Sequence, residues 1–183
     1  LPIYNMCGIV GYLGHRDPSE VIIKGLKRLE YRGYDSAGIA FHSETGIVTK
    51  KCTGKVKALE NLLSDISNNG NKLGIGLGHK RWATHGVPNT INAHPHSDSS
   101  GKITLVHNGI IENYETLKKH LEENDIECQS DTDTEVLAQF IAYLYEKENL
   151  SFSDTVRLAL KEVVGAYGIA VLCEDEPDTM IAA

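Results

Sequence analysis

The sequence predicts an α+β protein built from stacked layers of sheet and helix. Predicted strands occur in adjacent pairs as well as in alternation with helices, which favours a layered α+β sandwich over a doubly wound parallel sheet. The 183 residues suffice for one domain with a real core, and contents of 41% apolar and 23% charged residues are ordinary for a soluble globular protein.

Short apolar runs punctuated by glycine predict the strands. The predicted strands are, in order, Cys7–Gly14, Ile39–Phe41, Gly46–Cys52, Gly74–His79, Ile103–His107 and Gly168–Leu172. The apolar run Met180–Ala183 predicts a further strand that is cut short, so we expect the domain, residues 7–183, to be incomplete at its C-terminal end.

Capping residues and apolar periodicity predict five helices. Asp17 can cap the first helix and Pro18 suits its first turn, while Ile22, Leu26 and Leu29 fall on one face. The other helices are marked by Leu59–Ile66, by Glu112–Glu123, by a cap at Asp131 or Thr132 followed by apolar residues to Leu144, and by Ser153 as the cap of a segment that ends at Val164.

Charge and missing motifs disfavour several functions. A net charge of −7 disfavours nucleic acid and anionic membrane as partners, and no apolar run approaches the ~20 residues of a membrane span. The four cysteines form no CxxC pair, so we expect reduced thiols and a cytoplasmic protein. The histidine spacing, including His94-Pro95-His96, matches no zinc motif and no P-loop is present, so we expect no metal and no cofactor.

Cys7 is the candidate nucleophile. Taken alone, a cysteine that opens an apolar strand is well explained as a small buried hydrophobic residue. Its position directly after Met6 offers another interpretation, because removal of that methionine would leave Cys7 with an α-amine of pKa roughly 8. Such an amine can accept the thiol proton near neutral pH, so one residue would supply both nucleophile and base.

The segment KRWATHG, residues 80–86, is a candidate substrate clamp. It can equally be a strand end with a buried Trp82 and a solvated Arg81. As a clamp, the planar guanidinium of Arg81 matches a carboxylate in two parallel hydrogen bonds, and Thr84 and His85 add short polar contacts. A free amino acid brings one such carboxylate.

Two polar segments complete the candidate site. Asn108-Gly109 is either a plain Asn-Gly turn or an oxyanion hole, in which the Asn amide and the Gly N–H converge on one oxygen. Asp131–Glu135 is a capped helix N-terminus, and Asp133 within it can also bind a substrate ammonium group.

Together these segments resemble the glutaminase domain of the glutamine–fructose-6-phosphate aminotransferases. The resemblance covers nearly the whole chain in the expected order, and the motifs RWATHG and EYRGYDSAG separate this family from the related amidophosphoribosyltransferase and asparagine synthetase glutaminases. The segments that carry it are MCGIVGYLG (6–14), LEYRGYDSAG (29–38), GHKRWATHG (78–86), NAHPH (92–96), VHNGIIENY (106–114), SDTDTEV (130–136) and GAYGIAVL (165–172).

The resemblance implies the four-layer αββα sandwich of N-terminal nucleophile hydrolases, with Cys7 as nucleophile and Asn108 and the Gly109 N–H as oxyanion hole. It implies glutamine as substrate and, in the intact enzyme, two sugar-isomerase domains that receive ammonia at fructose 6-phosphate and form a homodimer. The remaining implied roles are Arg81 for the substrate carboxylate with Thr84 and His85 beside it, Asp133 for the α-ammonium, Arg32 in the loop that supports the nucleophile, and Trp82 in a mobile loop that gates ammonia.

Residues 1–6 depart from the family pattern. With this extension attached, the Cys7 nitrogen is an amide whose lone pair is held in resonance, so it cannot act as a base. We expect the extension to be a tag, a mis-called start or a propeptide. Two alternatives stay open: an inactive glutamine-binding or docking module with a blocked Cys7, and a glutaminase that serves another acceptor such as phosphoribosyl pyrophosphate.

Overall fold

The described residues form two four-stranded antiparallel sheets at the centre of the fold. The structure, a computed structural model, describes residues 7–32, 35–64, 74–82 and 89–183. The first sheet contains, in spatial order, β1 (Gly8–Gly14), β4 (Gly74–Arg81), β2 (Ser36–Ser43) and β3 (Gly46–Thr53). The second contains β5 (His96–Ser97), β6 (Ile103–Ile111), β7 (Gly165–Cys173) and β8 (Met180–Ala182).

In the part of the chain that the structure describes, five α-helices flank these sheets. They are α1 (Pro18–Leu29), α2 (Val56–Leu63), α3 (Tyr114–Glu122), α4 (Asp133–Glu148) and α5 (Phe152–Glu162), and a short 3₁₀ helix, Glu30–Arg32, follows α1. None of the described helices is long and apolar enough to cross a membrane.

Three apolar clusters show how the layers stack. Residues of α1 and α2, such as Leu26 and Leu59, pack on the first sheet. Residues of α3, α4 and α5, such as Phe140, pack on the second sheet. Between the two sheets, Leu77 of β4 packs in one cluster with Val106 of β6. The order of layers is therefore helix, sheet, sheet, helix, an αββα sandwich, and the prediction of a layered α+β sandwich is confirmed.

Strand β4 shows why the sequence fits this architecture. Its even positions are glycines up to Gly78, and a Cβ on Gly78 would lie 2.3 Å from Ile22 of α1. Glycine thus lets α1 lie directly on the strand. Because side chains alternate along a strand, the odd positions Leu77, His79 and Arg81 face the second sheet instead. The two polar residues lie at the end of the strand that reaches the candidate site.

The structure corrects several element boundaries. β6 does not end at His107 but continues to Ile111, so Asn108-Gly109 lies inside a strand paired with β7. The fifth helix is capped by Ser151, whose Oγ accepts from the Asp154 N–H at 3.2 Å, and not by Ser153. Starting at residue 152 buries Phe152 completely. Of the two candidate caps for α4, Thr132 is the one used.

Other predicted segments are longer or shorter than expected. β4 and β7 extend beyond their predicted ends because pairing with neighbouring strands continues there. The two-residue strand β5 was not predicted. Arg32 closes the 3₁₀ helix, and β2 already starts at Ser36, three residues before its predicted start at Ile39. The predicted strand over Met180–Ala183 is present as β8.

Candidate active site

The candidate site lies at one end of the layer between the two sheets. Cys7 directly precedes β1 and lies two residues before Ile9, so both side chains are on the same face of the strand. Ile9 packs against the cluster between the sheets. Asn108 has the same parity as Val106 on the facing strand β6. Strand alternation therefore directs the cysteine and the asparagine towards the same gap.

The Cys7 thiol is held by the backbone of Trp82. Sγ accepts a hydrogen bond from the Trp82 N–H at 3.3 Å and lies 3.5 Å from the Trp82 carbonyl oxygen, which can accept the thiol proton. Burial raises the pKa of the Cys7 thiol, an effect that the Trp82 N–H opposes and the charge of Asp35 reinforces. The thiol is therefore protonated at neutral pH and needs a base to become a nucleophile.

The Asn108 side chain is fixed between Cys7 and His79. Its Nδ2 lies 3.5 Å from the Cys7 carbonyl oxygen, and its Oδ1 lies 2.8 Å from Nε2 of His79. His79 is 1% exposed, and its ring stacks on His94 with centroids 4.2 Å apart. The amide group thus has a defined orientation beside the sulfur atom.

Gly109 occupies a backbone conformation that other residues rarely adopt. Its φ is +124°, and a Cβ at this position would lie 2.2 Å from the Ala166 carbonyl oxygen and 2.7 Å from Cα of Tyr167. Only glycine fits without moving β6 away from β7. This conformation sets the direction of the Gly109 N–H next to the Asn108 amide.

The N-terminus of α4 brings a carboxylate to the site. The Thr132 hydroxyl caps the helix by accepting from the Glu135 N–H at 3.2 Å. Asp133, the first helical residue, accepts from the Ile111 N–H at 2.9 Å through Oδ2. This bond ties the helix to the end of β6, and it leaves the carboxylate one quarter exposed.

A chain of buried hydrogen bonds ends on the Asp133 carboxylate. The His107 N–H donates to Nδ1 of His94 at 3.3 Å, so His94 carries its proton on Nε2, which lies 3.4 Å from the Thr134 hydroxyl oxygen. That hydroxyl lies 3.3 Å from Oδ1 of Asp133 and can donate to it. The chain of donors therefore ends on the carboxylate.

A cavity of about 550 Å³ contains these groups, a size typical of small-molecule sites. Arg81 lines it from the first sheet, and Asp131 and Asp133 line it at the N-terminal end of α4, so it presents one guanidinium and two carboxylate groups. A zwitterionic amino acid carries the complementary pair of charges. The cysteine sulfur and the Asn108 amide lie in the same cavity, where they can act on its side chain.

The structure brings together most of the predicted site residues. Those that line the cavity are Cys7, Arg81, Trp82, Asn108, Gly109 and Asp133. Thr84 and His85, and the side chain of Arg32, lie outside what the structure describes. In the described segments, no group of three or more histidine, cysteine, aspartate or glutamate side chains is placed to hold a metal ion.

Sequence reasoning missed the buried histidines of the site. The sequence pattern tests histidines only as metal ligands, whereas His79, His94 and His107 are each part of the hydrogen-bonding framework of the site. Burial lowers the pKa of His79 to about 4 and that of His96 to about 3, and it lowers the pKa of His94 well below its usual value. One available signal was the spacing of His79 and Arg81, which places both on the same face of a strand.

Comparison with known proteins identifies the family. The model of the glutamine amidotransferase domain matches residues 49–181, well over half of the chain. The chain belongs to the glutamine amidotransferase domain family. This amidotransferase domain is 50% identical over 179 residues to glutamine–fructose-6-phosphate aminotransferase (isomerizing) of Bacteroides thetaiotaomicron, and 50% identical over 182 residues to that of Pyrococcus horikoshii. Each alignment covers 97% of this chain but 29% of the relative's length.

Solved structures support the same assignment. Glutamine phosphoribosylpyrophosphate amidotransferase from B. subtilis superimposes with a TM-score of 0.73 at 30% identity, covering 97% of this chain and 36% of that one. A structure described as the allosteric regulatory enzyme of purine biosynthesis gives a TM-score of 0.75 at 28% identity, with the same coverage. The chain is therefore a class II glutamine amidotransferase domain with the N-terminal nucleophile fold. The expected αββα sandwich is confirmed.

Proposed function

We propose that this domain hydrolyses L-glutamine to glutamate and ammonia with Cys7 as the nucleophile. The observation that carries the proposal is the content of one cavity: the Cys7 thiol, the Asn108 amide, the Arg81 guanidinium and the Asp133 carboxylate. Arg81 binds the α-carboxylate of glutamine and Asp133 binds the α-ammonium group. With both ends held, the side-chain amide of the substrate extends towards the sulfur.

The proposed reaction passes through a thioester. The free α-amine of Cys7 takes the thiol proton, and the thiolate adds to the amide carbon of glutamine. The oxygen that gains negative charge is stabilised by Nδ2 of Asn108 and the Gly109 N–H. The protonated amine then returns the proton to the leaving nitrogen, which departs as ammonia, and water hydrolyses the thioester to glutamate.

This role for Cys7 requires an active form that begins at Cys7. In the sequence as given, Met6 precedes it, so the nitrogen is a peptide nitrogen. Burial raises the pKa of the Cys7 thiol, which makes a neighbouring base more important. We propose that residues 1–6 are absent from the active form and that Thr84, His85, Arg32 and Trp82 contribute as the family resemblance implies.

The acceptor of the ammonia is proposed from the relatives. Identity of 50% to two glutamine–fructose-6-phosphate aminotransferases, against 30% to a phosphoribosylpyrophosphate amidotransferase, favours fructose 6-phosphate. Since the chain spans 29% of the length of those relatives, we propose that the full-length protein also carries sugar-isomerase domains, forms a homodimer through them and acts in the cytoplasm. In that protein, glucosamine 6-phosphate is the expected product.

The test compares three forms of the chain. One starts at Leu1, one is expressed from Met6 so that methionine removal exposes Cys7, and one carries Cys7→Ala in that shorter form. Intact mass reports the N-terminus, and glutamate formation from glutamine reports activity. We expect only the form that begins at Cys7 to produce glutamate. As a control, Cys52→Ala in that form, a change at another half-buried cysteine, should leave the activity unchanged.

Two results would contradict the proposal. Wild-type glutamate formation by Cys7→Ala would exclude Cys7 as nucleophile. Equal activity of the chain starting at Leu1, with its extension intact by mass, would exclude the α-amine as base. For the acceptor, formation of glucosamine 6-phosphate by the full-length protein is measured against the reaction with phosphoribosyl pyrophosphate.

A further inference from the structure

The imidazole of His79 lies behind the proposed oxyanion hole and has no task in the reaction described above. It contacts Asn108 through Nε2 at 2.8 Å, on the side of the amide away from the Cys7 contact. Its own exposure is 1%, so it cannot reach a substrate in the cavity. Its effect on the reaction must therefore pass through Asn108.

The direction of the contact follows from the groups around Asn108. Nδ2 of Asn108 faces the Cys7 carbonyl oxygen, which only accepts hydrogen bonds. Rotating the amide by half a turn would place Oδ1 against that carbonyl oxygen. Oδ1 therefore faces His79, and since it too is an acceptor, Nε2 of His79 must carry the proton and donate.

The histidine ring is held rigidly enough to impose this direction. It stacks on His94 with an interplanar angle of 18°. His94 is itself fixed, because its Nδ1 accepts from the His107 N–H and its backbone carbonyl lies against Gly38, where an added Cβ would be 2.1 Å from the oxygen. Glycine at position 38 thus lets the chain at His94 approach β2, and the stacked pair stays in place.

We propose that His79 is a positioning residue: its Nε2–H holds the Asn108 amide so that Nδ2 points at the reacting carbonyl oxygen. The catalytic part of this inference rests on the proposed glutaminase function. The structural part, the tautomer of His79 and the orientation of Asn108, does not. Without His79, the amide can rotate about its last side-chain bond and present its oxygen to the developing negative charge, which would repel it.

Nuclear magnetic resonance tests the structural part without activity. Long-range proton–nitrogen correlations at pH 7 identify which ring nitrogen of His79 is protonated, and the side-chain NH₂ signals of Asn108 report whether its amide is fixed. We expect a neutral ring protonated on Nε2, and a dispersed Asn108 signal that moves towards random-coil values in His79→Leu. A ring protonated on Nδ1 alone, or an unchanged Asn108 signal in the variant, would overturn the proposal.

Kinetics of the form beginning at Cys7 test the catalytic part. His79→Leu removes the donor while keeping a buried side chain, and we expect kcat for glutamine hydrolysis to fall 10- to 100-fold with KM changed less than threefold. Loss of a whole oxyanion donor costs about 10²–10³-fold, and a misoriented one should cost less. His79→Gln retains an N–H at a similar distance and should keep at least a third of the wild-type kcat.

A double-mutant cycle separates positioning from general damage. In an Asn108→Ala background there is no amide to orient, so adding His79→Leu should lower kcat less than threefold further. A full additional 10- to 100-fold loss would show that His79 acts on the fold and would overturn the proposal. Failure of the proposed function is distinguishable, since it removes activity from the wild type and leaves the magnetic resonance result unaffected.

Discussion

Gly109→Ala tests the proposed oxyanion hole through its backbone. An alanine here must adopt a φ of +124°, a region that costs a residue with a side chain about 1–3 kcal/mol. Its Cβ must also move away from the Ala166 oxygen, which lies 2.2 Å away. Overpacking of this kind adds about 1–3 kcal/mol, so we expect the free energy of unfolding to fall by about 2–6 kcal/mol.

The same displacement should lower the rate. Reaching even a tight contact of 3.0 Å requires β6 and β7 to separate locally by about 0.8 Å. Oxyanion donors act within about 2.7–3.1 Å of the oxygen, and a misplacement near 1 Å costs about 10²-fold. We therefore expect kcat for glutamine to fall 10²- to 10³-fold, measured as glutamate formation by the form that begins at Cys7.

Two other glycines provide matched controls. Gly54 and Gly101 have φ values of +87° and +81°, and an added Cβ at either position meets nothing within 4 Å. Alanine at these positions should cost only the conformational part, about 1–2 kcal/mol in urea unfolding, with kcat unchanged. If Gly109→Ala matched Gly54→Ala in both stability and kcat, the close approach to β7 would have no energetic consequence and the reasoning would be wrong.

Further predictions concern the charged and ionisable groups. Asp133→Asn keeps an oxygen for the Ile111 N–H but loses the charge, so KM for glutamine should rise about 10- to 100-fold in steady-state kinetics. Asp131→Asn, at the other carboxylate of the cavity, should change KM less than threefold, because Asp131 already accepts a hydrogen bond from Nδ2 of Asn92 at 3.2 Å. Because burial raises the pKa of the Cys7 thiol, its alkylation by iodoacetamide in the chain starting at Leu1, followed by peptide mass spectrometry, should be slower at pH 7 than that of an unfolded peptide and should increase up to about tenfold per pH unit. Burial also lowers the pKa of His96 to about 3, so below about pH 6.5 the unfolded chain binds a proton that the folded chain does not. The free energy of unfolding therefore decreases as the pH is lowered, by up to about 1.4 kcal/mol per pH unit. In urea unfolding between pH 7.5 and 5.5, His96→Gln should reduce this slope, whereas the exposed His120→Gln should not.

Local sequence patterns predicted the layers of the fold better than the ends of its strands. The cap at Asp17 and the apolar face of α1 depend on neighbouring residues, and both are present in the structure. Strand ends depend on pairing partners distant in sequence, and β6 therefore continues through Asn108-Gly109, a dipeptide typical of turns. No local signal distinguishes a turn glycine from one whose positive φ serves a strand.

In the site, too, some residues could be predicted from the sequence and others could not. The first group carries the reactive or charged groups, and the second group positions them. The residues that carry the thiol, guanidinium, amide and carboxylate could be predicted to share one cavity. Each has a functional group suited to glutamine, and their motifs are specific in combination. The supporting histidines could not be predicted, since the same imidazole can be a metal ligand, a base or a neutral hydrogen-bond donor. Only burial and partners, such as the Asn108 oxygen beside His79, decide among these roles.

A backbone-to-carboxylate hydrogen bond joins the two halves of the proposed substrate site. Asp133 on α4 accepts from the Ile111 N–H, and Ile111 lies three residues after Asn108 on β6. The strand is paired with β7 over its whole length, so the separation between the carboxylate and the Asn108 amide is set by rigid backbone. A substrate held at its α-ammonium group therefore has a fixed length available before its amide carbon reaches the oxyanion donors and the sulfur.

Asparagine, shorter by one methylene, would leave its amide carbon short of the sulfur, and a misplacement of about 1 Å costs about 10²-fold in rate. Selectivity for glutamine over asparagine would then arise from the frame that joins α4 to β6.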